Sequence, residues 1–321
     1  MAKAKKKAGK ARGAPVRPAR QQARPAPIPA PRPAFPRQAA AVMLFFLAAQ
    51  LLGLFTGIVL VQAAQVYPEF QDLNVAPGGD SGSPYSSAFF LAYVLVGAAG
   101  MVLLIKFYKG VLLFKLMEAG ALFISCNIVF YVFFLLASVP YDWLWAMLLA
   151  CAVTLARFFR PGLKNFAAVM ASAGIGAVFG FSLDILPAII FVAGLSLYDF
   201  IAVFWTRHMV YMARELGKRN LAFSVSATES EYSKETGKEE SSTLELGTGD
   251  MVIPLMLAVS AYKISFSAFD SLAVIFGGLI GLAAVLWYVT SRRTFLPALP
   301  PISFFALLAL GISRLLAHLV S

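Results

Sequence analysis

The feature that most constrains this chain is a series of long apolar blocks with few charged residues inside them. A helix needs about 20 apolar residues to cross a hydrocarbon core of roughly 30 Å, and several blocks approach that length. A transmembrane β-barrel would instead show short segments of alternating hydrophobicity. The blocks therefore predict an all-α polytopic membrane protein with nine transmembrane helices, at about Ala40–Val61, Ala88–Ile105, Val111–Ala137, Trp143–Ala156, Phe166–Phe181, Ile185–Trp205, Met251–Phe269, Leu272–Val289 and Ile302–Leu319.

The basic residues predict how these spans are oriented. Eleven of the 27 Lys and Arg lie in residues 1–37, and a cytoplasmic N-terminus would place 24 of the 27 on or near the cytoplasmic side. Cytoplasmic loops carry an excess of Lys and Arg, so we expect an integral protein of the cell membrane with its N-terminus cytoplasmic and its C-terminus outside. Charge gathered this way favours contact with the lipid bilayer and argues against nucleic-acid binding.

Composition divides the chain into four parts. Residues 1–39 are rich in Lys, Arg, Ala and Pro with little to bury, which predicts a disordered basic cytoplasmic tail. Residues 40–205 hold the first six spans. Residues 206–246 are polar and Ser-, Lys- and Glu-rich, which predicts a mobile cytoplasmic loop. Residues 247–321 hold the last three spans, so the arrangement is six plus three. Nothing in the sequence indicates an oligomeric state.

Two carboxylates stand out because they lie in or beside apolar spans. Asp199 is near the end of the sixth span, in GLSLYDFIAVFW, and Asp250 opens the seventh, in LELGTGDMVIP. Adjacent spans run in opposite directions, so packing would bring both aspartates to a similar depth. A carboxylate in lipid is unfavourable, and each should therefore face protein or a water-filled cavity.

Two chemistries fit such a pair. Neighbouring carboxylates that share one proton can hold a water between an acid and a base, as aspartic proteases do, and this needs no metal or cofactor. Ion-coupled transport through the same carboxylates is the alternative, and composition alone favours it. A metal site would need more ligands than the two Cys and two His of this chain supply.

Three short motifs then carry a resemblance to a known family. They are YD at Tyr198–Asp199, GTGD at Gly247–Asp250 and PAL at Pro297–Leu299. In this order they resemble the presenilin and signal peptide peptidase family of GxGD intramembrane aspartyl proteases. The segment LYDFIAVFWTRHM is most similar to the prokaryotic, archaeal-type presenilin homologues. The resemblance is close over roughly residues 185 to 310, and covers the first five spans by number and orientation only.

The resemblance implies an aspartic endopeptidase that cleaves peptide bonds within transmembrane segments of other proteins, with Asp199 and Asp250 as its catalytic dyad. Gly247 and Gly249 would allow close backbone approach where a Cβ would obstruct. The residues before them, STLEL, would pair with an unwound substrate as an added strand.

The remaining motif residues are expected to shape the cleft. Pro297, with two further prolines behind it, keeps the approach to the ninth span out of the α conformation, so Pro297, Ala298 and Leu299 should form a wall. Tyr198 would offer an aromatic face and a hydroxyl beside Asp199, unless it serves packing alone.

Other polar and small residues have structural explanations. Glu118 follows Lys115 by three residues, a spacing that predicts an ion pair within one helix. Two Gly-x-x-x-Gly pairs, Gly176 with Gly180 and Gly277 with Gly281, predict close helix packing. Asp142, Asp184 and Asp270 fall at span ends and are expected to be solvated, and His208 is expected to contact lipid headgroups. Cys126 and Cys151 are expected to pack as small apolar side chains.

Overall fold

A computed structural model describes residues 37–76, 80–108, 110–205, 224–233, 238–292 and 296–320, without the side chains of 229–242, 292 and 320. Most of the predicted tail, His208 and part of the predicted cytoplasmic loop lie outside these ranges. The described chain forms nine α-helices and two strands. They are α1 (Arg37–Val66), α2 (Pro84–Phe107), α3 (Leu112–Leu136), α4 (Asp142–Phe159), α5 (Lys164–Ser182), α6 (Ile185–Phe204), β1 (Ser224–Ser233), β2 (Lys238–Gly247), α7 (Thr248–Ser265), α8 (Ala268–Arg292) and α9 (Leu299–Val320).

Eight of these helices are long and apolar enough to cross a membrane. The exception is α7, whose 18 residues include Asp250, Pro254 and Lys263. The polytopic helical fold is therefore confirmed, apart from the pair of strands. The count of nine spans stays a prediction.

Helix α7 lies at the centre of the bundle. Every residue from Met251 to Tyr262 is buried, and α7 packs against α1, α5, α6, α8 and α9. A helix buried on all sides has no lipid-facing stripe. Its surroundings are protein, which explains why it tolerates more polar residues than the outer helices.

Glycines permit the close packing around α7. A Cβ at Gly176 would lie 2.5 Å from the Leu255 side chain, and one at Gly180 would lie 2.7 Å from the Met256 carbonyl oxygen. The second glycine pair is equally close to α9, where a Cβ at Gly281 would lie 2.7 Å from the Ile302 Cα. The packing role predicted for both Gly-x-x-x-Gly pairs is confirmed.

Strands β1 and β2 form an antiparallel hairpin, paired from Ser224 opposite Gly247 to Ser233 opposite Lys238. The sequence predicted a mobile loop without secondary structure here, and the structure has two paired strands instead. Side chains alternate along a strand, and Val225 and Leu246, which face each other in the register, are both buried against the start of α1. Burial of this apolar pair against the bundle stabilises a hairpin of which the sequence suggested only the STLEL part as a strand.

Ion pairs join the helices at the end of the bundle away from the hairpin. Lys263 on α7 lies 2.7 Å from Asp184 and donates a hydrogen bond to the Phe181 carbonyl. Asp270, at the start of α8, is 3% exposed; it accepts a hydrogen bond from Ser313 and pairs with an arginine on α9, Arg314, at 3.3 Å. The expectation that Asp270 is solvated was wrong, and Asp184 is paired as well as partly exposed.

The buried acid on α3 has a different partner from the one predicted. Glu118 pairs with Arg157 on α4 at 3.0 Å, whereas Lys115 lies over the Phe158 ring. Local spacing suggested Lys115, but Lys115 is exposed and Arg157 is buried beside Glu118. A buried carboxylate is stabilised most by a cation buried with it.

Candidate active site

Asp199 lies five residues before the end of α6 and is 5% exposed. Its carboxylate accepts a hydrogen bond from the backbone N–H of Leu299, the first residue of α9. The first amides of a helix have no partner within the helix, and the helix dipole favours a negative charge there. The start of α9 therefore holds the Asp199 carboxylate. Tyr198 packs at the edge of the main apolar core.

Asp250 occupies the corresponding place on α7. It lies in the first turn of that helix, and its carboxylate accepts a hydrogen bond from the backbone N–H of Gly247. Helices α6 and α7 pack together, and the two carboxylates are near enough for the charge of Asp199 to act on Asp250. The fold thus brings together two carboxylates that are 51 positions apart in the sequence, each bonded to an amide at the start of a helix.

The PAL segment lies beside this pair. Pro297 and Leu299 are buried, and Leu299 belongs to the main core. Ala298 packs against a second cluster that includes Leu246 of the hairpin and Met251 of α7. The segment therefore connects the neighbourhoods of the two aspartates.

The two glycines of the GTGD motif, Gly247 and Gly249, differ in how much space a side chain would have. A Cβ at Gly247 would lie 3.3 Å from the Asp250 carboxylate oxygen, a tight contact that fits the expected close approach. A Cβ at Gly249 would meet no atom within 4 Å. The crowding expected at Gly249 is therefore absent from the described part of the chain, and the reason given for this glycine was wrong there.

Polar contacts fasten the hairpin to the start of α5. The Asn165 side-chain amide donates to the Ser226 carbonyl at 2.8 Å and accepts from the Ser226 N–H at 2.9 Å. Lys164 pairs with Glu245 on β2 at 3.4 Å. Since β2 runs directly into Gly247, these bonds set where the start of α7 lies.

Sequence reasoning missed a set of buried side chains that hold the first turn of α7. Gln50 on α1 is fully buried and donates to the Met251 carbonyl at 2.7 Å. Ser172 on α5 is also fully buried and lies 3.5 Å from the Thr248 carbonyl. Pro254 has no N–H, so the Asp250 carbonyl lacks its helical donor four residues on. A polar residue within an apolar span was the only sequence signal for Gln50.

No set of three or more His, Cys, Asp or Glu side chains in the described ranges is grouped as metal ligands would be. The site consists of two carboxylates, backbone amides and apolar walls. Such a pair can exchange protons with a water or a substrate carbonyl.

Comparison with known families agrees with this arrangement. A sequence profile described as "Signal-peptide peptidase, presenilin aspartyl protease" matches residues 43–317. The chain belongs to this family. It is an aspartic-type endopeptidase of the kind that cleaves within membranes, and the resemblance drawn from the three motifs is confirmed.

Solved structures give the same result. A presenilin family intramembrane aspartate protease in a C222 crystal form is 26% identical, with a TM-score of 0.62 over 87% of this chain and 99% of that one. The match to a P2 crystal form is also 26% identical, with a TM-score of 0.61 over 86% of this chain and 97% of that one. A search of curated proteins found no match.

Proposed function

We propose that Asp199 and Asp250 are the catalytic dyad of this protease and that they hydrolyse peptide bonds within transmembrane segments of other membrane proteins. The observation that carries the proposal is the proximity of the two carboxylates on packed helices, each bonded to an amide at a helix start. Such bonds restrict the positions of both carboxylates, which supports chemistry in which the pair shares one proton.

In the proposed reaction, a water lies between the two carboxyl groups. The ionised aspartate removes a proton from the water as its oxygen attacks the peptide carbonyl carbon, and the protonated aspartate donates its proton to the carbonyl oxygen. The tetrahedral intermediate then collapses. The aspartate that took the proton from water donates it to the nitrogen, while the other aspartate removes a proton from a hydroxyl of the intermediate. The C–N bond breaks, the products are a carboxylic acid and an amine, and the dyad regains its starting protonation.

The test compares Asp199→Ala and Asp250→Ala with wild type, using the purified protein and a single-span model substrate. Both variants should lose cleavage while keeping the wild-type unfolding temperature. Asp142→Ala, at the first turn of α4, is the matched control and should cleave normally. Substantial residual cleavage by either dyad variant would show that its aspartate is not catalytic. If wild type showed ion uptake but no cleavage, and the two dyad variants lost that uptake, the result would favour a transporter instead.

We propose that the walls of the cleft are the PAL segment and the hairpin. Each strand of a sheet has two edges, and β1 occupies one edge of β2, so an unwound substrate segment would add to the other. Leu299→Arg should then abolish cleavage, because it places a charge in an apolar wall beside Asp199. Gly249→Leu should reduce cleavage by obstructing the substrate rather than by crowding the protein. Normal cleavage by both variants would refute this assignment of the walls.

We propose further that the N-terminus is cytoplasmic and the C-terminus outside, in the cell membrane, from the distribution of Lys and Arg. Substrates should then be spans with an outside N-terminus, cut first toward their cytoplasmic half. With the native cysteines replaced, a thiol reagent that cannot cross membranes should label Ser321→Cys and not Ser233→Cys in intact cells. Labelling of Ser233→Cys would reverse the assignment without affecting the dyad.

A further inference from the structure

A cavity of about 80 Å³, lined by both charged and apolar side chains, lies between α3 and α4 and contains neither Asp199 nor Asp250. Lys115 and Glu118 of α3 line one side, and Thr154, Arg157 and Phe158 of α4 line the other. Its charged lining residues lie near the start of α3 and the end of α4. These two ends belong to the same side of the predicted topology.

The charges of the cavity do not cancel. The charge of Glu118 is balanced by Arg157, which lies 3.0 Å away. The ammonium of Lys115 lies 5.4 Å from the centre of the Phe158 ring. The three charged side chains together therefore give the lining a net charge of +1. The buried hydroxyl oxygen of Thr154 makes no hydrogen bond within the described chain. A cation and a hydroxyl donor around one cavity suit an anion with several acceptor oxygens.

The size and surroundings narrow the ligand. A water needs about 10–15 Å³ of such space, so the cavity has room for roughly five to eight water-sized atoms, as a phosphate group requires. The surface next to the cavity is apolar: Leu116 and Leu155 are each 56% exposed, and Phe159 is 75% exposed. Both helices meet the criteria for membrane spans. A ligand that fits here has a phosphate at one end and hydrocarbon at the other.

We propose that this cavity binds the phosphate of an anionic membrane lipid, with the acyl chains lying along Leu116 and Leu155. Lys115 and Arg157 provide the positive field, Thr154 donates a hydrogen bond, and Glu118 keeps the Arg157 guanidinium in place. The proposal is independent of the catalytic dyad, since it concerns different helices and no bond is made or broken.

The test uses the full chain, purified in an uncharged detergent and titrated with phosphatidylglycerol, with phosphatidylcholine and with inorganic phosphate, with bound ligand measured by native mass spectrometry. Phosphatidylglycerol should bind more tightly than phosphatidylcholine. Lys115→Gln should weaken phosphatidylglycerol about fivefold, which is what loss of about 1 kcal/mol per basic residue gives. Thr154→Val, which keeps the shape and removes the hydroxyl, should also weaken it.

The matched control is Lys106→Gln, which removes a lysine from the last turn of α2 and should leave phosphatidylglycerol binding unchanged. Equal weakening by Lys106→Gln and Lys115→Gln would mean general surface attraction and would overturn the site. Equal binding of the two lipids would overturn it as well. Inorganic phosphate that displaces the lipid at similar concentrations would assign the cavity to a free anion instead. Arg157 is left intact because its removal would strand Glu118 as a buried, unpaired charge.

Discussion

Gln50→Leu should lower proteolytic turnover far more than it lowers stability. Gln50 is fully buried and binds the carbonyl of Met251, the residue next to Asp250. Pro254 removes the helical hydrogen bond that the Asp250 carbonyl would otherwise accept. The first turn of α7 therefore depends on side chains from other helices for its position, and the bond of Gln50, at 2.7 Å, is shorter than the 3.5 Å contact of Ser172.

The magnitudes follow from the contacts. A side-chain hydrogen bond between membrane helices contributes about 0.6 kcal/mol. The buried Gln50 Oε1 atom has no partner in the described residues, and removing such an acceptor relieves a desolvation penalty of about 1–3 kcal/mol. The two effects oppose each other, so the free energy of unfolding should change by no more than about 2 kcal/mol, in either direction. Displacement of a catalytic group by about 1 Å costs on the order of 100-fold in rate, so we expect kcat to fall about 10- to 100-fold.

The assay measures kcat and KM separately on a single-span substrate, together with the unfolding midpoint in the same detergent. KM should change little, because Gln50 is buried inside the protein. Gln62→Leu is the matched control: Gln62 is on the same helix and donates to the Tyr262 hydroxyl at 2.8 Å, near the opposite end of α7. It lies about 18 Å from Gln50 along the helix and should leave kcat unchanged. The reasoning is refuted if the two variants have the same kcat. It is also refuted if the activity that Gln50→Leu loses is no larger than its loss of folded protein.

Three further predictions concern packing, the ion pairs and the hairpin. Gly174→Ala would place its Cβ 2.5 Å from a backbone oxygen of α3 and should lower stability by about 1–3 kcal/mol. A Cβ at Gly120 would have no atom within 4 Å, so Gly120→Ala should raise stability by up to about 1 kcal/mol. Equal shifts in the melting temperatures of the two variants would contradict this. Asp270→Ala should lower stability by about 1–3 kcal/mol with unchanged kcat, since it lies beyond the far end of α7; a lower kcat at constant melting temperature would count against it. Asn165→Ala removes both hydrogen bonds to β1 and should speed amide hydrogen exchange in that strand more than Lys164→Gln does; unchanged exchange there would show that the amide does not anchor the hairpin.

The positions of the helices were largely predictable, because lipid provides no hydrogen-bond partners for a backbone. An apolar block of sufficient length must therefore form a helix with all its bonds internal. This is why the predicted blocks overlap the nine observed helices, although α7 is less apolar than the rest. The same reasoning singled out Asp199 and Asp250, since a carboxylate in an apolar span is unfavourable and therefore indicates a functional site.

The partners of polar residues were not predictable by the same means. Local spacing paired Glu118 with Lys115, but the observed partner, Arg157, lies on the next helix. Asp270 looked like a solvated loop residue and is buried against α9. Which polar groups meet depends on how helices rotate and pack, and that is decided by contacts between residues far apart in the chain.

The hairpin and the brace on α7 are the clearest cases of structure decided by tertiary contacts. A two-stranded sheet is marginal by itself; β1 and β2 exist beside the bundle because Val225 and Leu246 bury against α1 and Asn165 binds the strand backbone. The bond from Gln50 to Met251 joins residues 201 positions apart. The sequence by itself determined where the chain enters the membrane and which carboxylates it carries there, because those depend on the solvent around each segment. Only the tertiary structure decided which side chains hold Asp250 in place, because that depends on which helices surround α7.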